Sequence, residues 1–141
     1  MRLADLTDTF SSRRDGTRQH EATDILAARG TPVVAVEDGT IKQLFLSKAG
    51  GITIYQFDPS ERYCYYYAHL DHYAAGMQNG TKVKKGDVIG YVGTTGNAGP
   101  NNPHLHFEIT IVRANKQYWG GVPIDPYPIL RSAFERARRL N

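Results

Sequence analysis

From residue 31 onward, apolar and β-branched runs are broken at short intervals by Gly, Pro, Asn and Asp, the punctuation of an all-β chain. Residues 33–36 form the first run. The Asp38-Gly39 pair signals a hairpin ahead of residues 40–46, where Ile41, Gln43 and Phe45 alternate imperfectly with Lys42, Leu44 and Leu46. Gly50-Gly51 closes that strand, residues 52–57 form the next, and Asp58-Pro59-Ser60 turns the chain into an aromatic strand over 63–70. These three strands are predicted to be adjacent and antiparallel. Two more are predicted at 88–92 and 105–112, separated by a loop over 93–103 that holds three glycines, three asparagines and two prolines and so cannot be regular. Leu130, Phe134, Ala137 and Leu140 recur at helical spacing, which predicts a short amphipathic C-terminal helix packed on the sheet. Before residue 20 neither period is present, and irregular chain is expected. The fold class is therefore mostly β: an antiparallel sheet with long loops and a short C-terminal helix.

The chain has 141 residues, the length of one ordinary domain. A single cysteine, Cys64, has no partner for a disulfide and is expected to be a small buried apolar residue. No run of 18 apolar residues exists, so no transmembrane helix is expected. Residues 1–16 read MRLADLTDTFSSRRDG, whose aspartates interrupt any secretory core, so the expectation is either a cytoplasmic protein or a domain of a longer exported one. The net charge of +3 is matched by the last eleven residues alone, with four arginines against one glutamate. A nucleic-acid surface would spread its basic groups along a face, so no nucleic-acid partner is expected. The 93–103 loop lacks the Gly-Lys-Ser/Thr ending of a phosphate cradle, which disfavours nucleotide binding.

The candidate chemistry lies in the histidines. In His104-Leu105-His106, continued by Phe107-Glu108-Ile109, a period of two sends both imidazoles to one face, about 7 Å apart at their Cα atoms. His20 and Asp24 are four apart, which puts them on the same side of either a helix or a strand. With one of the two strand imidazoles they would make an N, N, O donor set with one open tetrahedral position, which suits catalytic Zn²⁺. Alternation over 63–70 places Tyr65, Tyr67 and His69 together on one face, and His69 is the candidate imidazole beside the metal. His72 falls past the expected strand end and is read as a turn or surface residue. A lone histidine is ordinarily a hydrogen-bonded imidazole and the tyrosine cluster ordinarily a half-buried strand, so the co-occurrence of three segments carries the reading.

The series His20-x-x-x-Asp24-Ile25, Gly30-Thr31-Pro32-Val33, Asp38-Gly39, Tyr67-x-His69-Leu70, Val83-x-x-Gly86-x-x-Ile89-Gly90, Gly93-x-Thr95-Gly96, Pro103-His104-Leu105-His106-Phe107-Glu108 and Asp125-Pro126 resembles the lysostaphin-type zinc metallopeptidases, family M23, which cut the peptide part of bacterial peptidoglycan. The resemblance implies His20, Asp24 and His106 as zinc ligands, and His69 and His104 as the catalytic pair beside the metal. It further implies an open β-groove with rim loops that contact a peptide, and a cell-envelope location, periplasmic or extracellular. The expected organisation is then an irregular segment over 1–17, a catalytic domain over 18–130 and a helical tail over 131–141. The 93–103 loop is longer than the link the family normally carries before Pro-His-Leu-His, so substrate preference transfers least.

The implied mechanism gives zinc two tasks, lowering the pKa of water to about 7 and polarising the scissile carbonyl. His104 would be the base and His69 the donor to the oxyanion, with the two roles exchangeable. Two rival readings fit the residues less well. A non-catalytic binder or activator of another wall hydrolase would lack ligand positions, and all are filled. A lipoyl- or biotinyl-type carrier, suggested by residues 80–90, needs a lysine at a hairpin tip, and the Asp38-Gly39 turn has none. The favoured bond is a D-alanyl–diaminopimelate cross-link rather than a glycine bridge.

Overall fold

The β-branched and aromatic runs form strands in the computed structural model of the chain, which describes residues 22–124 and the backbone of three two-residue strands before them. Those three are β1 (Leu6–Thr7), β2 (Arg13–Arg14) and β3 (Arg18–Gln19). There follow β4 (Thr23–Leu26), β5 (Pro32–Val34), β6 (Gly39–Ser47), β7 (Gly51–Phe57), β8 (Tyr63–Tyr73), β9 (Lys82–Val83), β10 (Val88–Val92), β11 (His104–Ile111) and β12 (Val122–Ile124). Among the described residues the one helical element is the 3-10 turn Gly96–Ala98. The C-terminal helix expected over 131–141 lies outside the described residues, as does Asp125-Pro126. Residues 1–17, expected to be irregular, contribute β1, which pairs with β4, and β2, which pairs with β3. Two-residue strands are too short to leave a period of two in the sequence.

All pairing is antiparallel, and the sheet runs β1-β4-β11-β8-β7-β6-β9. The predicted trio β6, β7 and β8 is adjacent as expected. The Asp38-Gly39 pair is not a hairpin, since β5 pairs with β10 while β6 pairs with β7 and β9. Gly39 is needed instead because any Cβ there would collide with the carbonyl of Phe57 on the neighbouring strand. Asp38 holds the next layer of chain, its carboxylate accepting from the Lys85 N–H at 2.8 Å.

β8 is the spine of the sheet. One edge pairs with β7, while β11 takes residues 63–68 of the other edge and β10 takes residues 70–73. The handover between these two partners falls at His69. Beneath it lies the core: Ile25, Val33, Ile54, Tyr67, Leu70 and Phe107 are among its fully buried side chains. Tyr67 carries its hydroxyl into this core, where it donates to Gln56 Oε1 at 2.8 Å and accepts from the Val36 N–H at 3.1 Å. Gln56 in turn donates to the Glu37 carbonyl, so the buried polar groups are paired as burial requires.

Candidate active site

Leu105, Phe107 and Ile109 point into the core, so the pleat of β11 sends His104, His106 and Glu108 to the opposite face. On β4 the same argument applies: Ile25 is buried and Asp24 points the other way. The register then places Asp24 directly across from His106. Their side chains meet, His106 Nδ1 lying 2.9 Å from Asp24 Oδ1.

His69 reaches this face by a different device. Strict alternation would group it with Tyr65 and Tyr67, as the sequence suggests, but those two tyrosines are in the core and His69 is not. Between the pairs Ile54↔Tyr67 and Ile52↔Leu70, β8 spends one more residue than β7, which is a β-bulge. His69 sits in it with φ 62°, a left-handed conformation that costs a non-glycine residue about 1–3 kcal/mol. The bulge turns the imidazole over to the face of His104 and His106, and Leu70 resumes the core alternation. Two hydrogen bonds hold the strained residue: its N–H donates to the Gly50 carbonyl at 2.8 Å, and Nδ1 lies 2.7 Å from the Thr95 carbonyl. Gly51 and Gly96 let the loop of Thr95 come this close, because a Cβ on Gly51 would collide with Thr95 and one on Gly96 with the Ala49 carbonyl.

The ring centroids of His69 lie 4.9 Å from His104 and 5.7 Å from His106. His69 and His104 are the buried members of the cluster, 5% and 7% exposed. Their tautomers follow from their partners. A carbonyl oxygen can only accept, so the Nδ1 of His69, facing Thr95, and the Nδ1 of His104, 2.9 Å from the Asn102 carbonyl, both carry hydrogen. Both rings therefore present Nε2 for chemistry. The Nε2 of His104 stands 4.0 Å from Asp24 Oδ1. Burial holds the pKa of His69 below the ordinary imidazole range, with His104 and His106 adding to the effect and the Thr95 carbonyl and Asp24 opposing it. His69 is thus neutral at neutral pH, with a lone pair on Nε2.

Asp24 and His106 supply a carboxylate oxygen and an imidazole nitrogen, the donor types Zn²⁺ prefers. Because the two atoms are neighbours on one face, 2.9 Å apart, they could serve as two ligands of a single ion. His20, the third expected ligand, lies outside the described residues. Among the described residues no group of three such side chains forms a complete metal set. His72 stands apart, as read from the sequence, though within β8 rather than past its end; it is exposed, bonds Asp71 at 2.7 Å and stacks on Tyr91. The residues that sequence reasoning missed are Thr95 and Asn102, which act through main-chain carbonyls that every residue type carries.

Comparison with known proteins shows the family and the fold. The model of peptidase family M23 matches residues 18–126. The L-Ala–D-Glu endopeptidase of Bacillus subtilis (strain 168) is 37% identical over 126 residues, covering 86% of this chain and 37% of that protein. The crystallised catalytic domain of the antimicrobial peptidase lysostaphin from Staphylococcus simulans superposes with a TM-score of 0.70 at 29% identity, covering 89% of each chain. A zinc-containing peptidase from Vibrio cholerae superposes with a TM-score of 0.65 at 25% identity, over 87% of this chain and 34% of that one. The chain spans between 21% and 37% of the length of the first three curated relatives it matches.

Proposed function

Since the chain belongs to peptidase family M23, we propose that residues 18–130 form a zinc-dependent endopeptidase domain that hydrolyses peptide bonds of bacterial peptidoglycan. The observation that carries this reading is the convergence on one face of Asp24, His106, His69 and His104, drawn from three strands and a bulge. His20, Asp24 and His106 would hold the metal. Bound there, Zn²⁺ supplies a Lewis acid for a peptide carbonyl and the means to ionise water near neutral pH.

The chain's own part is proton handling at two nitrogens. One Nε2 of the His69/His104 pair would accept the proton of the attacking water and pass it to the leaving amine; the other, having taken a proton from solvent before the attack, would donate to the oxyanion. The same pair returns a proton to the leaving amine. The sequence-based expectation puts the base at His104 and the donor at His69. Because both rings are anchored alike through Nδ1, they offer the same group, and we treat them as one unit. We place the scissile bond in the stem peptide or its cross-link, outside the cytoplasm.

Zinc content and turnover separate the roles. His20→Ala and His106→Ala should lose zinc, whereas His69→Ala and His104→Ala should keep near-stoichiometric zinc yet fall by about 10²–10⁴ in rate. Equal metal loss in all four variants would overturn the assignment. Digestion of purified sacculi, with the new peptide ends identified by mass spectrometry, tests the substrate, and intact sacculi after incubation with the zinc-loaded protein would refute it.

A further inference from the structure

The face of the sheet opposite the histidines is not covered to its end. On β11 the core side chains Leu105, Phe107 and Ile109 are followed two residues on by Ile111, which continues the same face. The register sets Tyr63 of β8 and Val122 of β12 directly across from Ile111, one on each side, and sets Tyr65 and Ile124 across from Ile109 in the same way. Directly opposed residues of antiparallel strands share a face, so these six apolar side chains form two rows across three strands. The inner row is covered: Ile109 is 1% exposed, Tyr65 9%, and Ile124 packs against the core. The outer row is not, with Tyr63 38% exposed, Ile111 43% and Val122 43%. Single exposed apolar residues are ordinary, but a contiguous row calls for a cover.

The sequence carries a segment of the right length and pattern. The chain leaves β12 at Ile124, in the inner row itself, and five residues, Asp125-Pro126-Tyr127-Pro128-Ile129, lead to the stripe Leu130, Phe134, Ala137 and Leu140. Five extended residues reach about 17 Å, whereas three strands are about 10 Å across. In helical geometry the stripe from Leu130 to Leu140 is about 15 Å long, enough to lie over all three strands. Charge agrees with this placement. Asp58, whose carboxylate accepts from the Tyr63 N–H at 2.9 Å, and Glu37 help to hold the Tyr65 hydroxyl pKa up, after burial as the larger cause, so the β8 end of the block is negative. The last eleven residues carry four arginines against one glutamate. A second copy of the chain fits less well, because three side chains about two-fifths exposed offer far less than the roughly 800 Å² per partner that a stable dimer buries.

We infer that the outer row of Tyr63, Ile111 and Val122 is the docking surface of the chain's own C-terminal segment, which meets it with Leu130, Phe134, Ala137 and Leu140. The segment closes the open end of the core on the face away from the histidines, so the inference does not rest on the endopeptidase reading. It also lies against β12, which among the described strands pairs with β11 alone and needs protection as a sheet edge.

Hydroxyl-radical footprinting of the full chain, with side-chain oxidation located by mass spectrometry, reads the row directly. Tyr63 should be oxidised at least about threefold faster in Phe134→Asp than in the wild-type chain, since a carboxylate in the stripe cannot be buried against apolar side chains. Leu130→Asp should repeat the effect from the other end of the stripe, and Phe134→Leu should leave Tyr63 as protected as in the wild type. Trp119, 56% exposed and outside the row, should react alike in all four chains. A tethered segment has a high effective concentration, so the protection of Tyr63 should be constant over about a hundredfold dilution of the protein. Equal Tyr63 rates in the wild type and both aspartate variants would overturn the docking. Protection that fades on dilution would overturn it in favour of a second copy of the chain as the cover.

Discussion

Replacing Thr95 by Val keeps the shape of the side chain and removes one oxygen. That oxygen donates to the Leu70 carbonyl at 2.6 Å and accepts from the Ile52 N–H at 3.1 Å, tying the 93–103 loop to both strands at the bulge. Each main-chain group left unpaired costs about 1–3 kcal/mol, so the pair together costs about 2–4 kcal/mol once partial rehydration is allowed for. At roughly 3 °C per kcal/mol for a chain of this size, the melting temperature should fall by about 6–12 °C. A second effect follows from the same residue. The Thr95 carbonyl fixes His69 Nδ1, and a loop displaced by even 1 Å can cost about 10²-fold in rate. Calorimetry, zinc analysis and turnover on one preparation read all three consequences: Tm down, kcat down, zinc retained. Thr95→Ser keeps the hydroxyl and should restore both Tm and kcat. A Thr95→Val protein that melts and turns over with the wild type would refute the argument that this loop is clamped through the hydroxyl.

Tyr67→Phe should lower stability by about 2 kcal/mol or more, because it strands the Val36 N–H and Gln56 Oε1 in the core, and an unchanged urea midpoint would contradict that. Since Tyr67 faces the core and not the histidines, turnover at a temperature where the variant is folded should be unaffected. Asp58 gives a pH dependence. Burial alone would raise its pKa, but the Ser60 hydroxyl and the N–H groups of Tyr63, Ser60 and Arg62 outweigh it and hold the carboxyl below its ordinary value. A depressed folded pKa stabilises the protein above the unfolded value of about 3.9 and loses that contribution as pH falls through the folded value. The stability difference between wild type and Asp58→Asn should therefore be full at pH 7 and shrink on acidification below the unfolded value, and a difference independent of pH would exclude the mechanism.

The His-x-His face was legible because it depends on nothing but the pleat, and the aromatic strand over 63–70 because its composition favours β structure. The place of His69 in the motif was legible, but its orientation was not. Alternation assigns it to the core face, and only an added residue against β7, together with a left-handed backbone angle, corrects that. Asp38-Gly39 misled for a related reason, since the same dipeptide that makes a tight turn also relieves a close approach between strands. The anchoring of the two imidazoles left no trace in residue type, because carbonyl oxygens accept the bonds.

That both imidazoles hang from the main chain has a bearing on how such a protein can diversify. A side-chain anchor is lost by a single codon change, whereas the oxygens of Thr95 and Asn102 persist under any substitution that leaves the path of the polypeptide intact. The segments that carry them can accordingly drift in chemistry while the tautomer of both imidazoles, with hydrogen on Nδ1, is inherited unaltered.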